Sequence, residues 1–149
     1  MKKLQQWSGY LLAYTMWIVS FLLWLGFMLL GRDALLGVLG LYYIGESFQR
    51  RFQAQLVDRV FVFGTGLIWV ILMILVENYF RTGVKKGDLG RRVGRVLGPQ
   101  VLLIFLADAV KAIWVDPIPL PWMRWVLLAV ELTVGVGTIY LSSRKPHLS

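Results

Sequence analysis

The chain of 149 residues is too apolar for a soluble domain, because 58% of its residues are hydrophobic and only 16% are charged, against about 25% charged in soluble domains. It contains no cysteine, which excludes disulfides, thiolate metal ligands and cysteine nucleophiles. Its net charge of +8 is expected, in a membrane protein, to reflect topology and anionic lipid rather than nucleic acid.

The first predicted element is a membrane span over residues 7–30. This stretch carries no charged side chain and follows Lys2 and Lys3. A lipid core about 30 Å thick needs about 20 apolar residues of helix, so the stretch is long enough to cross it. Because it exceeds the apolar region of a signal peptide and no A-x-A pattern follows, we expect a retained signal anchor.

Residues 34–58 are predicted to form an interfacial or re-entrant amphipathic helix that leads into the second span and could extend it without a break. Their apolar beginning, residues 34–44, is too short to span upright. Further along, Phe48, Phe52 and Leu56 are four residues apart with arginine and glutamine between them, the pattern of an amphipathic helical face. A fifth span over this segment is the alternative.

Three further spans are predicted over residues 60–80, 96–115 and 122–141. The last two contain charged residues, and each central Asp, Lys or Arg costs about 2.5–3.5 kcal/mol on insertion scales. The Leu, Val and Ile around them can offset one or two such charges, so we expect both helices to insert as a pair. Residues 1–149 are therefore predicted to form a single all-α membrane domain with four transmembrane helices.

The distribution of positive charge predicts the orientation. With four spans, the N-terminal lysines, the segment between spans two and three and the tail lie on one side, which the positive-inside rule makes cytoplasmic. We therefore expect a bacterial inner (plasma) membrane protein with both termini in the cytoplasm. The segment between spans two and three is expected to contact anionic lipid headgroups or an acidic partner through Arg81, Lys85, Lys86, Arg91, Arg92 and Arg95. It lacks the interleaved aromatic residues of a nucleic-acid stacking platform.

Four arginines do not fit this orientation, since they fall on the predicted outer side. They are partly offset by three acidic residues in the same region, Asp33, Glu46 and Asp58. The four are Arg32, Arg50, Arg51 and Arg59.

A group of four ionisable residues lies within the last two predicted spans: Asp108, Lys111, Arg124 and Glu131. If these spans form an antiparallel hairpin, Asp108 lies roughly 10 Å and Glu131 roughly 13 Å deep at 1.5 Å per residue. An isolated charge in hydrocarbon is costly. We therefore expect these side chains to meet one another across the hairpin.

This intramembrane charge cluster has two interpretations. It could be a proton or ion relay with Glu131 or Asp108 as the titrating group and Lys111 tuning it; replacing Glu131 with Gln would then abolish transport while assembly survives. It could instead be a set of ion pairs that holds the hairpin together or docks a partner helix. The second interpretation is favoured because only Gln100 and Thr133 could extend a polar path in these helices.

Two lines of small residues predict close helix packing. Gly94 and Gly98 lie in a G-x-x-x-G pattern at the start of span three, and Ala129, Thr133 and Gly137 form a similar stripe on span four. Such spacing lets helix backbones approach closely in lipid. The contact could be within this chain or with another chain.

The sequence carries no catalytic or metal-binding signature. It has neither H-E-x-x-H nor G-x-S-x-G, and its one histidine, His147, lies in the polar tail. We therefore predict no enzyme activity, no metal site and no cofactor ligated by this chain. Contact of its aromatic surface with lipid, quinone or carotenoid is possible in this interpretation.

These features together predict a non-catalytic accessory or scaffolding subunit of a larger membrane complex. The expectation that this complex is bioenergetic rests only on the size and character of the chain. Its partners would be other membrane subunits and anionic lipids. The alternative is a small homo-oligomeric transporter or channel that uses Asp108, Lys111 and Glu131. A third option is a lipid- or membrane-remodelling protein.

Overall fold

The computed structural model describes residues 2–42, 48–115 and 122–143, which form four helices and no strand. Each of these helices is long and apolar enough to cross a membrane, consistent with an integral membrane protein. The elements are α1 (Lys2–Tyr42), α2 (Phe48–Lys86), α3 (Leu89–Val110), a π-helical turn (Lys111–Val115) and α4 (Trp122–Ser143).

Helices α1 and α2 run antiparallel along most of their length. Near one end Gly9 lies against the side chain of Val84. Near the other end Arg32 forms an ion pair with Asp58. At 1.5 Å per residue, the 41 residues of α1 and the 39 of α2 span about 60 Å each, roughly twice the thickness of the lipid core.

Helix α3 runs parallel to α1. The two helices meet at Ser20 and Gln100, and again further along both at Asp33 and Lys111. Helix α4 then returns beside α3 in the opposite direction. Among the described residues, α4 packs against α3 and against no other helix.

Neither an additional amphipathic helix nor a fifth span is found in the described part of residues 34–58, and from Phe48 onwards this segment continues into the second span without a break, as one form of the prediction allowed. Residues up to 42 continue α1, residues from 48 onwards belong to α2, and residues 43–47 lie outside the described part of the chain. A helix satisfies its own backbone hydrogen bonds, so it can continue beyond the lipid core without a break. The apolar beginning of this segment is too short to span the membrane by itself. Its described residues therefore extend α1 and α2, two helices that are already long enough to span.

A two-residue connection joins α2 to α3, so the basic segment between the predicted spans is almost entirely helical. Gly87 has φ 69°, a left-handed conformation that glycine adopts without steric cost. The N–H of Gly87 donates to the carbonyl of Val84, and the N–H of Asp88 donates to that of Gly83. These two bonds form a Schellman motif that ends α2.

A small hydrophobic core lies at this end of the bundle, where Ala13, Val76, Phe80 and Leu89 pack together. Phe80 is only 1% exposed. Most other large apolar side chains point outward, which is expected of helices that have lipid as their solvent. On α4 they include Trp125, Val126, Leu127, Val130, Val134, Val136 and Leu141.

Candidate functional site

The predicted charge cluster is only partly assembled, and its central contact joins α3 to α4. Arg124 Nη2 donates a hydrogen bond to Asp108 Oδ1 at 3.2 Å. The two side chains are 22% and 18% exposed, so the ion pair is largely shielded. Pairing offsets the cost of placing either charge alone within a transmembrane helix.

Lys111 pairs with a residue that the sequence analysis did not include in the cluster. Its ammonium group donates to Asp33 Oδ2 on α1. Asp33 lies 13 residues after Ser20, and Lys111 lies 11 residues after Gln100. Because α1 and α3 are parallel, this places both charges at a similar level. The distance in residues from Ser20 to Asp33 is close to that from Gln100 to Lys111. This similarity is the signal in the sequence that could have predicted the pair.

Glu131 does not pair with any described basic residue. Its Oε2 atom is buried without a hydrogen-bond partner. The carboxylate of Asp108 repels it. The predicted neutral group of two acids and two bases is therefore divided into one α3–α4 pair, one α1–α3 pair and one unpaired acid.

A further ion pair joins α1 to α2. Arg32 Nε and Nη2 donate to the two carboxylate oxygens of Asp58, at 2.7 and 2.9 Å. This bidentate geometry is the strongest form of an arginine–carboxylate contact. It lies where the charge-free stretches of α1 and α2 end. Three helix pairs are thus each connected by one ion pair at the same end of the bundle.

The predicted basic contact set lies at the opposite end, on the last turns of α2 and the first turns of α3. Arg92 is buried inside the protein, where it donates to Asp88 at 2.9 Å and to the carbonyl of Tyr79 at 3.0 Å. Its guanidinium also lies 4.6 Å from the centre of the Tyr79 ring, within cation–π range. Arg92 therefore has a structural role in the described contacts and is not available to a lipid headgroup.

The other members of this set are distributed around the helix ends. Arg81 lies 3.7 Å from Glu77, one turn earlier on α2, and Arg91 is half-buried and has its own contacts. Lys85, Lys86 and Arg95 are exposed. Exposed cations at the end of a membrane helix are suited to anionic headgroups.

The glycines of α3 lie at its contact with α4. A Cβ added at Gly94 would lie 2.7 Å from Ser142, and one added at Gly98 would lie 2.5 Å from Ile139. On α4 the matching close approach is made by Gly135, where an added Cβ would lie 2.6 Å from Leu102. Gly135 was not predicted as a contact residue. The predicted stripe of small residues on α4 passes two positions away from it, at Thr133 and Gly137.

The stripe formed by Ala129, Thr133 and Gly137 faces away from α3. Ala129 and Thr133 are exposed, and a Cβ added at Gly137 would meet no atom within 4 Å. These residues therefore do not pack against any described helix, and contact with another chain stays a prediction.

A buried polar contact between α1 and α3 joins Ser20 and Gln100. Gln100 Nε2 donates to the Ser20 hydroxyl at 2.8 Å, and both side chains are buried. Gln100 Oε1 has no partner. From the sequence, Gln100 was predicted only as part of a relay path, and Ser20 was not predicted as its partner.

The described ion pairs and the Ser20–Gln100 hydrogen bond each connect two helices. Within the described ranges, no group of three or more His, Asp or Glu side chains could hold a metal ion. The histidine of the tail, His147, lies outside those ranges. No protein-family model, curated protein or solved structure matches the chain.

Proposed function

We propose that this protein is a non-catalytic accessory or scaffolding subunit of a larger membrane complex, of the kind found in bioenergetic assemblies. The observation that carries the proposal is the position of α4. This helix packs only against α3 among the described helices, and most of its surface is exposed. A peripheral transmembrane helix of this kind offers a broad face to a neighbouring subunit.

The outward face of α4 supports the proposal through its small residues. Ala129, Thr133 and Gly137 follow one another at intervals of one turn, and no part of the described chain covers them. Helices associate in lipid by close backbone contact at such positions. A partner helix would therefore find its closest approach along this stripe.

The ion pairs support a structural rather than a transporting role. Arg32–Asp58, Lys111–Asp33 and Arg124–Asp108 each connect two helices. In a relay, the ionisable groups would instead follow one another along a continuous path. We infer that these charges fix the positions of the helices, so that the outer surfaces are presented to partners in a defined geometry.

The proposal includes the location and orientation expected from the sequence. We propose a bacterial inner membrane protein with both termini in the cytoplasm, supported by the exposed Lys85, Lys86 and Arg95 at one end of the bundle. The chain would ligate no cofactor. Lipid, quinone or carotenoid would contact its apolar surface only.

The test is purification of the full chain from its native membrane in mild detergent. We expect unrelated membrane subunits to co-purify in fixed stoichiometry. Gly137→Leu should release them because it places a large side chain on the outer face of α4. Gly66→Leu is the matched control, since an added Cβ at Gly66 on α2 also meets no neighbour. A chain that purifies alone, or partner loss in both variants, would contradict the proposal.

Glu131 favours a second candidate, a small homo-oligomeric transporter or channel. Its buried carboxylate oxygen has no donor, and intramembrane ionisable residues are often functional. In this case purification would give a symmetric oligomer of this chain alone. Proton or cation flux in proteoliposomes would be lost in Glu131→Gln while the oligomer persists. Equal flux in wild type, Glu131→Gln and protein-free vesicles would exclude it.

A further inference from the structure

A cleft between α1 and α2 lies at the end of the bundle opposite to the α2–α3 connection. Its volume is about 560 Å³. Three charged residues lie at the mouth of the cleft: Arg32, Asp58 and Arg59. Its remaining walls are apolar and are formed by Met28, Leu29, Val62 and Phe63.

The charged part of this cleft carries a net positive charge. Arg32 uses Nε and Nη2 to bind Asp58, which neutralises one guanidinium. Arg59 is exposed, and it makes no ion pair or hydrogen bond with a described residue. One cation is therefore left beside the Arg32–Asp58 pair, at the mouth of the cleft.

The level of the cleft in the bundle matches the boundary of the lipid core. Arg32 follows the charge-free stretch of α1, and Arg59 immediately precedes that of α2. Ser20 lies near the middle of the charge-free stretch of α1, and Arg32 lies 12 residues after it, which corresponds to about 18 Å along the helix. Half of a lipid core is about 15 Å thick. The arginines therefore lie at headgroup depth and the apolar walls at acyl-chain depth.

We propose that this cleft binds one anionic phospholipid, with its phosphate on Arg59 and the free side of Arg32 and an acyl chain along the apolar walls. A cation above an apolar groove matches the two parts of such a lipid in order and in depth. Free phosphate would use only the charged part. The site lies in the leaflet opposite to the exposed basic residues Lys85, Lys86 and Arg95, so the positive-inside pattern does not account for it. This inference stands apart from the accessory-subunit proposal.

The experiment is native mass spectrometry of the purified full chain with phosphatidylglycerol and with phosphatidylcholine of identical acyl chains. We expect one phosphatidylglycerol to bind more tightly than phosphatidylcholine. Arg59→Gln should lower this affinity about fivefold, the contribution of one cation near an anionic lipid. Arg95→Gln is the control, because it removes one exposed positive charge at the other end and should leave the affinity unchanged.

Asp58→Asn makes the opposite prediction and tests the site even where Arg59→Gln does not fold. Loss of the acidic charge frees the Arg32 guanidinium, so affinity for phosphatidylglycerol should rise about fivefold. An unchanged or lower affinity would overturn the proposal. It would also be overturned by equal loss in Arg59→Gln and Arg95→Gln, by equal binding of both lipids, or by inorganic phosphate that displaces the lipid at a concentration equal to that of the lipid.

Discussion

The amide of Gln100 donates a hydrogen bond to the hydroxyl of Ser20, 80 residues earlier in the chain, at 2.8 Å. This contact fixes the register of two parallel helices at a level where neither carries a charge. Beyond Ser20 and Gln100, the two helices run side by side as far as the Asp33–Lys111 ion pair. One buried hydrogen bond and one ion pair therefore connect α3 to α1 at two levels.

Ser20→Ala is expected to lower the free energy of unfolding by about 1 kcal/mol, because it leaves the buried Gln100 amide without an acceptor. Gln100→Leu should cost less, since the Ser20 hydroxyl can bond to a carbonyl of its own helix. Thermal unfolding in detergent measures both variants. The double variant should be more stable than Ser20→Ala alone, and a double variant that is less stable would contradict this role.

Asp108 and Arg124 are expected to be coupled in stability. Asp108→Asn and Arg124→Gln should each destabilise the protein, and the double variant should lose less than the sum. A coupling energy of about 0.6–2 kcal/mol is expected for polar contacts between membrane helices. The measurement is a double-mutant cycle of unfolding in detergent. Strictly additive losses would show that the 3.2 Å contact does not hold α3 to α4.

Gly98→Ala is expected to destabilise the packing of α3 on α4 by about 1–3 kcal/mol. The added Cβ would lie 2.5 Å from Ile139 Cγ1 and 3.2 Å from the Ile139 backbone nitrogen, so the helix as a whole would have to shift. Gly137→Ala is the matched control on the opposite face of α4. It should be neutral or stabilising, because alanine favours helix by up to about 1 kcal/mol over glycine. Equal effects on the melting temperature would contradict the observed contact face.

Glu131→Gln is expected to leave the melting temperature in detergent unchanged or to raise it. The substitution removes a negative charge whose buried oxygen has no donor and which Asp108 repels. Glutamine keeps the size of the side chain. Glu77→Gln serves as a comparison at a partly exposed residue whose partner, Arg81, lies on the same helix. A marked loss of stability in Glu131→Gln would indicate that Glu131 has a basic partner after all.

Long apolar stretches were sufficient to predict four transmembrane helices, even where single charges interrupt them, since lipid allows little else there. The apolar stretch of residues 7–30 and the span that begins at residue 60 both lie within observed helices. The extension of α1 and α2 beyond the lipid could not be predicted in the same way. Hydrophobicity defines which part of a helix crosses the membrane, but it does not define where the helix ends.

The candidate site was predictable only within one hairpin. Asp108 and Arg124 are joined by a short connection, so their depths could be compared directly and their contact anticipated. Asp33 and Lys111 are 78 residues apart, and their meeting depends on α3 lying parallel to α1. Gly135 was likewise missed, because a helix with small residues on two faces does not reveal which face is covered.

The sequence by itself determined that lipid is the solvent of the apolar helices, how many spans there are and that cysteine chemistry is absent. These properties follow from composition and from the length of apolar stretches. Only the tertiary structure decided which charges pair, which face of α4 is covered and that Glu131 pairs with no basic residue in the described part of the chain. Lipid surrounds every helix equally and supplies no hydrophobic force that would select one neighbour over another. The choice among helix faces therefore depends on close contacts and polar pairs, which exist only once the helices have met.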